Sequence, residues 1–394
     1  MTPRRSVEVV YVHAPFCARR CGYCDFAVTV RGDGDARGAA LEWAEAIGAE
    51  LCVVEREGLF ELAPLLRTLY VGGGTPSLLG GGAMGALAGL LGRDRLSHAE
   101  LEWTVEANPE SLTCGVAEAW REAGVNRVSL GAQTFHEPTL RWMGRVHGPG
   151  GVTAAVRATK DAGIENVSVD LMFGLPRALG RAWEDDLDRA LALDVPHVSL
   201  YGLSVEPGTP LGRAVAAGRE PPLDEEGYRD EFLLAAERLT SAGYEHYEVS
   251  NFARPGFASR HNTAYWDGTR YLGLGNGAHS YAHPVRRWNE REWATYRERV
   301  LAGVSPEAGR EVLDEDAIAL ERVWLALRTS RGAAESKLAV SAERVVDRWV
   351  DEGLARRSGK RVRLTALGWL ELDGLAVELD VARARAGASP PTAE

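Results

Sequence analysis

Short apolar runs rich in β-branched residues alternate with longer amphipathic stretches through the first half of the chain. The runs VEVVYV, TLYV, LEWTVE, RVSL, NVSVDL and HVSL predict strands over 7–12, 68–71, 101–106, 127–130, 166–171 and 197–200. Helical spacing of the apolar positions predicts helices between them, over 39–57, 85–92, 115–123, 152–162 and 183–194. Strands that alternate with helices form βαβ units around a parallel sheet. Six repeats predict an α/β fold with an open, partial (βα)6 barrel rather than a closed eightfold one. Ligands of such folds gather at the carboxyl ends of the strands.

The pattern changes after about residue 225. A helix is predicted over 226–242 and a strand over 244–249. The segment 251–281 reads as loop-rich, dense in Gly, His, Asn and aromatics. Helices follow over 317–328 and 341–352, and GLARRSGKRVRLT reads as two short strands around a Ser-Gly turn. Helices ahead of a hairpin predict a winged-helix-like module. The expected organisation is a core over 1–225, a barrel extension over 226–310, the winged-helix-like domain over 311–380 and a disordered tail over 381–394, where ARARAGASPPTAE is small and polar.

Charge removes some function classes. The 394 residues carry 45 Lys and Arg against 56 Asp and Glu, a net of −11. General attraction to nucleic acid or anionic lipid is therefore not expected, and the basic ARRSGKR reads as a solvated hairpin. No run of about 20 apolar residues is present to span a membrane. The opening MTPRRSVEVVYVHAP passes straight into a strand, unlike a secretory signal. Five cysteines, three of them clustered, argue for a reducing cytoplasm and against a disulfide framework.

The clustered cysteines carry the chemistry. HAPFCARRCGYCD places Cys17, Cys21 and Cys24 directly after the first strand, spaced C-x3-C-x2-C. Zinc takes four ligands, and His13 keeps a Cys3His site open on spacing alone. A [4Fe–4S] cluster is normally held by four cysteines, so three would leave one iron open to an outside ligand. Other signals fall at the ends of later strands. YVGGGTPS holds Gly72, Gly73, Gly74 and Thr75, where glycine permits close backbone approach. TVEANP ends on Glu106, a carboxylate suited to ribose hydroxyls. RVSLGAQTF reaches Gln133, MGRVH carries Arg145, and SVDLMFGLP places Asp170 inside an otherwise apolar strand, which is costly unless the carboxylate is partnered.

These motifs resemble the radical S-adenosylmethionine (SAM) superfamily, in which a three-cysteine loop leaves the fourth iron for the amino and carboxylate groups of SAM. Over nearly the whole chain they are similar to the branch that contains oxygen-independent coproporphyrinogen III dehydrogenase and the HemW-type haem chaperones. The resemblance implies a [4Fe–4S] cluster on Cys17, Cys21 and Cys24. It implies SAM contacts at Tyr11, Tyr23, Gly73, Gly74, Thr75, Glu106, Gln133, Arg145 and Asp170, and at two further positions, Ser204 and His279. Phe26 stands where the dehydrogenase has a further cysteine, and the stretch ahead of Cys17 is shorter than the dehydrogenase's. HNTAYW, from His261 to Trp266, matches the chaperones' H-N-x-x-Y-W motif and offers His261, Asn262, Tyr265 and Trp266 to haem, an imidazole for iron and rings for a flat macrocycle.

The expected function is therefore a cytoplasmic haem chaperone that binds haem, SAM and the cluster and delivers haem to apoproteins such as those of respiratory chains, with a homodimer left open. The alternative is the dehydrogenase itself, oxidatively decarboxylating porphyrinogen propionates with a 5′-deoxyadenosyl radical. A radical SAM enzyme acting on another substrate is the third reading. After FGLP this chain continues RALGRAW, where the relatives are polar.

Overall fold

The computed structural model describes residues 6–31, 36–221, 224–338 and 342–387. Five crossovers build the core. They run β1 (Val9–Ala14), α1 (Ala36–Glu57), β2 (Thr68–Gly73), α2 (Gly82–Leu91), β3 (Glu102–Ala107), α3 (Cys114–Ala123), β4 (Arg127–Gln133), α4 (Gly151–Asp161), β5 (Asn166–Phe173), α5 (Trp183–Ala192) and β6 (His197–Gly202). All neighbouring pairs from β1 to β6 are parallel, with Val9 opposite Thr68 and Thr104 opposite Arg127. Strands covered on both faces read as continuous apolar runs, and Val9, Val10 and Val12 of β1 are fully buried. Trp43 and Ile47 of α1 pack into this core, and the Trp43 indole donates to the His13 carbonyl at 2.9 Å, fixing the end of β1.

The rest of the chain begins with α6 (Glu225–Ser241), β7 (Glu245–Glu248), β8 (Asn251–Ala253), α7 (Arg260–Trp266) and β9 (Leu272–Leu274). Among the described residues the main sheet has nine strands in the order β7-β8-β6-β5-β4-β3-β2-β1-β9. The two edges do not join, so the barrel is partial. The segment expected to be loop-rich supplies the strand next to one edge and the strand at the other: β8 runs antiparallel to β6, and β9 runs parallel to β1. Each is three residues long, too short to show a period.

A second sheet comprises β10 (His279–Ala282), β11 (Val285–Asn289) and β12 (Glu307–Val312), with α8 (Trp293–Leu301) between the last two. The chain then forms α9 (Glu315–Leu327), β13 (Ala333–Ala334), α10 (Glu343–Asp351), β14 (Ala355–Ser358), β15 (Arg361–Leu364) and α11 (Leu372–Gly387). The β14–β15 hairpin is antiparallel, and β13 pairs with β15. The Trp369 indole donates to the Leu327 carbonyl at 2.8 Å and meets the His246 ring edge-on, which ties this end of the chain to the barrel edge.

One sequence expectation changes here, and one departure acquires a structural role. Helix α11 runs to Gly387, so residues 381–387 are helical rather than disordered, while 388–394 lie outside the described residues. The reason is an apolar strip, Leu372, Leu375, Leu379 and Ala382, which continues past the point where composition turns small and polar. The RALGRAW departure also gains an explanation. Arg181 is nearly fully buried and bonds Glu231 at 2.6 Å, Asp186 at 3.2 Å and the Met172 carbonyl at 3.2 Å, joining α5 and α6 to the end of β5. Asp186 also accepts from Thr134 and the Phe135 N–H, both at 2.7 Å, so the buried charges are fully partnered.

Candidate functional site

The carboxyl ends of β1 to β6 open onto a cavity of about 500 Å³. The cysteine loop enters it after β1. Short strands Phe16–Cys17 and Thr29–Val30 pair in parallel, and the Arg31 N–H donates to the Cys17 carbonyl at 2.9 Å, pinning both ends of the loop. All three thiols are half-buried and line the cavity. The Thr75 hydroxyl donates to Cys17 Sγ and the Phe26 N–H to Cys24 Sγ, each at 3.5 Å. Burial pushes the Cys17 thiol up to about 11 and raises Cys24, so without metal both keep their protons. Iron would displace those protons, and donors aimed at sulfur suit the resulting thiolates. Among the described residues no three His, Cys, Asp or Glu side chains group tightly enough to hold a single ion. The donor set fits three thiolates on a cluster; the Cys3His zinc alternative lacks its fourth ligand, because both ring nitrogens of His13 are engaged, by the Tyr11 hydroxyl and the Ala27 carbonyl, each at 3.0 Å.

Facing the thiols are the glycine turn and Glu106. The Gly73 N–H donates to Glu106 at 2.9 Å, and the Tyr70 hydroxyl donates at 2.8 Å. Desolvation raises the Glu106 carboxyl to about 7 despite these bonds, and Asp170 adds to the effect. Asp170, on β5, accepts from Ser129 at 3.0 Å and Ser168 at 3.3 Å, and burial raises its pKa too. Those serines are the partners that its place in an apolar strand demanded. Gln133 has φ +65° at an irregularity in the β4–β5 register, a left-handed backbone that turns the chain at the cavity wall. Arg145 donates to the Gly131 carbonyl at 2.5 Å and to Asn108 at 2.8 Å, placing a cation beside the cysteine loop.

Nine of the eleven expected SAM positions line this cavity: Tyr23, Gly73, Gly74, Thr75, Glu106, Gln133, Arg145, Asp170 and Ser204. Tyr11 and His279 do not. They line a second cavity of about 1260 Å³, which shares Asp25, Phe26, Gly73 and Glu106 with the first. Asn108, Tyr201 and Glu206 line the first cavity but drew no attention in the sequence. Asn108 lies two residues beyond Glu106, and Tyr201 one residue beyond the predicted strand, so extending the strand-end rule would have found both.

The HNTAYW motif forms α7 and divides. Ser259 caps the helix, accepting from the Asn262 N–H at 3.2 Å, and Glu102 accepts from the N–H groups of Arg260 and His261, both at 3.0 Å. Tyr265 and Trp266 line the larger cavity. The expectation that His261 presents a free imidazole is not met. Its ring is 1% exposed, Nδ1 bonds the Thr68 hydroxyl at 2.8 Å, Nε2 bonds the Tyr265 hydroxyl at 2.9 Å, and Tyr70 stacks on it at 4.9 Å. Burial, with Arg127 and Arg67, lowers its pKa to about 3, so it is neutral and fully engaged.

Comparison with known proteins agrees with this geometry. Residues 11–190 match the radical SAM superfamily. The haem chaperone HemW of Mycobacterium tuberculosis is 37% identical over 367 residues, covering 93% of each chain. HemW of Bacillus subtilis is 33% identical over 380 residues, covering 92% of this chain and 97% of the relative. Among solved structures, coproporphyrinogen III oxidase (HemN) of Escherichia coli, a radical SAM enzyme, superimposes with a TM-score of 0.76 at 23% identity, covering 96% of this chain and 90% of that one. That likeness shows the fold.

Proposed function

This chain belongs to the radical SAM superfamily and, within it, to the HemW family, and we propose that it binds haem, SAM and a [4Fe–4S] cluster and passes haem to apoproteins. The observation that carries this reading is the match to proteins named as haem chaperones over 93% of both chains. Cys17, Cys21 and Cys24 would hold three irons of the cluster, which when bound supplies a one-electron donor beside the SAM sulfonium. The chain's own residues do the positioning. The Gly72–Gly74 turn admits a ligand's polar groups to the backbone. Glu106, held by Tyr70 and Gly73, and Asp170, held by serines, are acceptors for hydroxyl or ammonium hydrogens. Arg145 adds a cation to the cavity wall that would suit a ligand carboxylate. Five free cysteines support a reducing compartment, and no helix among the described residues is long and apolar enough to cross a membrane.

The test is anaerobic cluster reconstitution followed by hemin titration, with a parallel assay of coproporphyrinogen III turnover. Haem binding near one per chain with no protoporphyrinogen formed is the expected result. Robust turnover of coproporphyrinogen III would replace the chaperone reading with the enzyme one.

A further inference from the structure

The larger cavity stands beside the first, shares Asp25, Phe26, Gly73 and Glu106 with it, and is otherwise lined mostly by later elements of the chain. Resting on the haem reading above, we propose that this cavity seats the planar tetrapyrrole and that His279 supplies the ligand to its iron, while His261 is a fixed strut of the barrel. One wall is a face of the second sheet. His279 and Tyr281 are two residues apart on β10, and the register sets Trp288 and Arg286 opposite them on β11, so all four share a face and line the cavity. Gly309 of β12 pairs with Trp288, and a Cβ there would meet the indole at 2.5 Å. The glycine therefore leaves room for Trp288 to lie flat across the sheet. The His279 ring stacks on that indole at 5.8 Å and 29°, and the residue is exposed. Among the described residues nothing hydrogen-bonds either of its ring nitrogens.

Another part of the wall is α9. Ile318, Arg322 and Leu325 fall at i, i+4 and i+7 on one face and line the cavity. Ile318 and Leu325 stay half-exposed and border the same open space as the aromatic face, as an apolar strip beside that gap. A flat, apolar ligand fills such a gap, and a carboxylate at its edge finds Arg322, which is exposed and has no ion-pair partner among the described residues. Arg286 is already engaged by Glu311 at 2.6 Å and by Glu321.

The experiment is hemin titration into the full chain, following the Soret band and the dissociation constant, with urea unfolding of each variant. His279→Gly should weaken hemin by about tenfold or more, the loss expected when a central anchor is removed, and added imidazole should restore the wild-type band. Leu325→Glu should weaken it as well, with an unchanged unfolding midpoint. His261→Gln should lower the unfolding midpoint yet leave the wild-type Soret band in the folded protein. A His279→Gly protein that titrates like wild type, or a folded His261→Gln protein that loses the band, overturns the assignment while leaving the haem reading in place. Wild-type protein that takes up no hemin overturns both.

Discussion

Gly73→Ala separates a glycine kept for its backbone from one kept for flexibility. Gly73 has φ +110°, and a Cβ there would lie 2.2 Å from Cε1 and 2.3 Å from Nδ1 of His13. The imidazole cannot retreat, because it is 6% exposed and bonded on both nitrogens, to Tyr11 and to the Ala27 carbonyl. Alanine would suffer twice: roughly 1–2 kcal/mol for a left-handed backbone and roughly 1–3 kcal/mol for overpacking, together about 2–5 kcal/mol. Any relief that moves the turn also breaks the Gly73 N–H bond to Glu106, so ligand binding should suffer with stability. Urea unfolding of the metal-free chain reads the first effect and SAM binding to the reconstituted protein reads the second. Gly89→Ala is the control. It is exposed in α2 with nothing within 4 Å of its added Cβ, and should gain about 1 kcal/mol from better helix propensity. A Gly73→Ala protein that unfolds at the wild-type midpoint would refute the steric reasoning.

Three further outcomes are expected. Cys17→Ala, Cys21→Ala and Cys24→Ala should each abolish the cluster, read as iron and sulfide per chain after anaerobic reconstitution, whereas the exposed Cys52 and Cys114 can be replaced without loss. Arg181→Ala should cost about 3–5 kcal/mol in urea unfolding, because Asp186 and Glu231 lose their buried cation; a cost near zero would mean that the network is not stabilising. Glu50 accepts from the Gly275 N–H, Asn289 and the Tyr296 hydroxyl, yet burial raises its carboxyl from 4.5 to about 7. Its folded pKa lies above the unfolded one, so its contribution is full below about pH 4.5 and fades as pH rises through 7, by about 3 kcal/mol. Glu50→Gln should therefore show a shallower fall in unfolding midpoint between about pH 5 and pH 8 than wild type, and equal slopes would sink this account.

The sequence by itself determined the six-strand core and the cluster loop, because both depend on local pattern: continuous apolar runs for strands buried on two faces, and thiols at fixed spacing in one loop. It placed the strand ends short. β2, β4, β5 and β6 run two or three residues past their apolar runs, because parallel pairing continues through Gly73, Gln133, Phe173 and Gly202. Those extra residues border the first cavity or lie in it, so the least strand-like positions are the ones the site uses. The nine expected positions that line the first cavity were legible through the motifs that carry the family resemblance, and most of those motifs sit at or just past strands of one sheet, whose ends converge by topology. The second cavity was not legible. It needs a face of β10 and β11 and a face of α9 on one cavity, elements whose mutual placement no local pattern encodes. The same holds for the two histidines. In the sequence, His261 stands in an aromatic-rich motif that suggests haem, and His279 stands in a glycine-rich loop that the resemblance assigns to SAM. Only tertiary structure separates their surroundings: Thr68 and Tyr265, 193 residues before and four after, occupy both nitrogens of His261, while the β10–β11 register puts His279 on the face that lines the larger cavity. A side chain's free valence depends on what the fold brings against it, and that is settled by packing across the whole chain rather than by its neighbours in sequence.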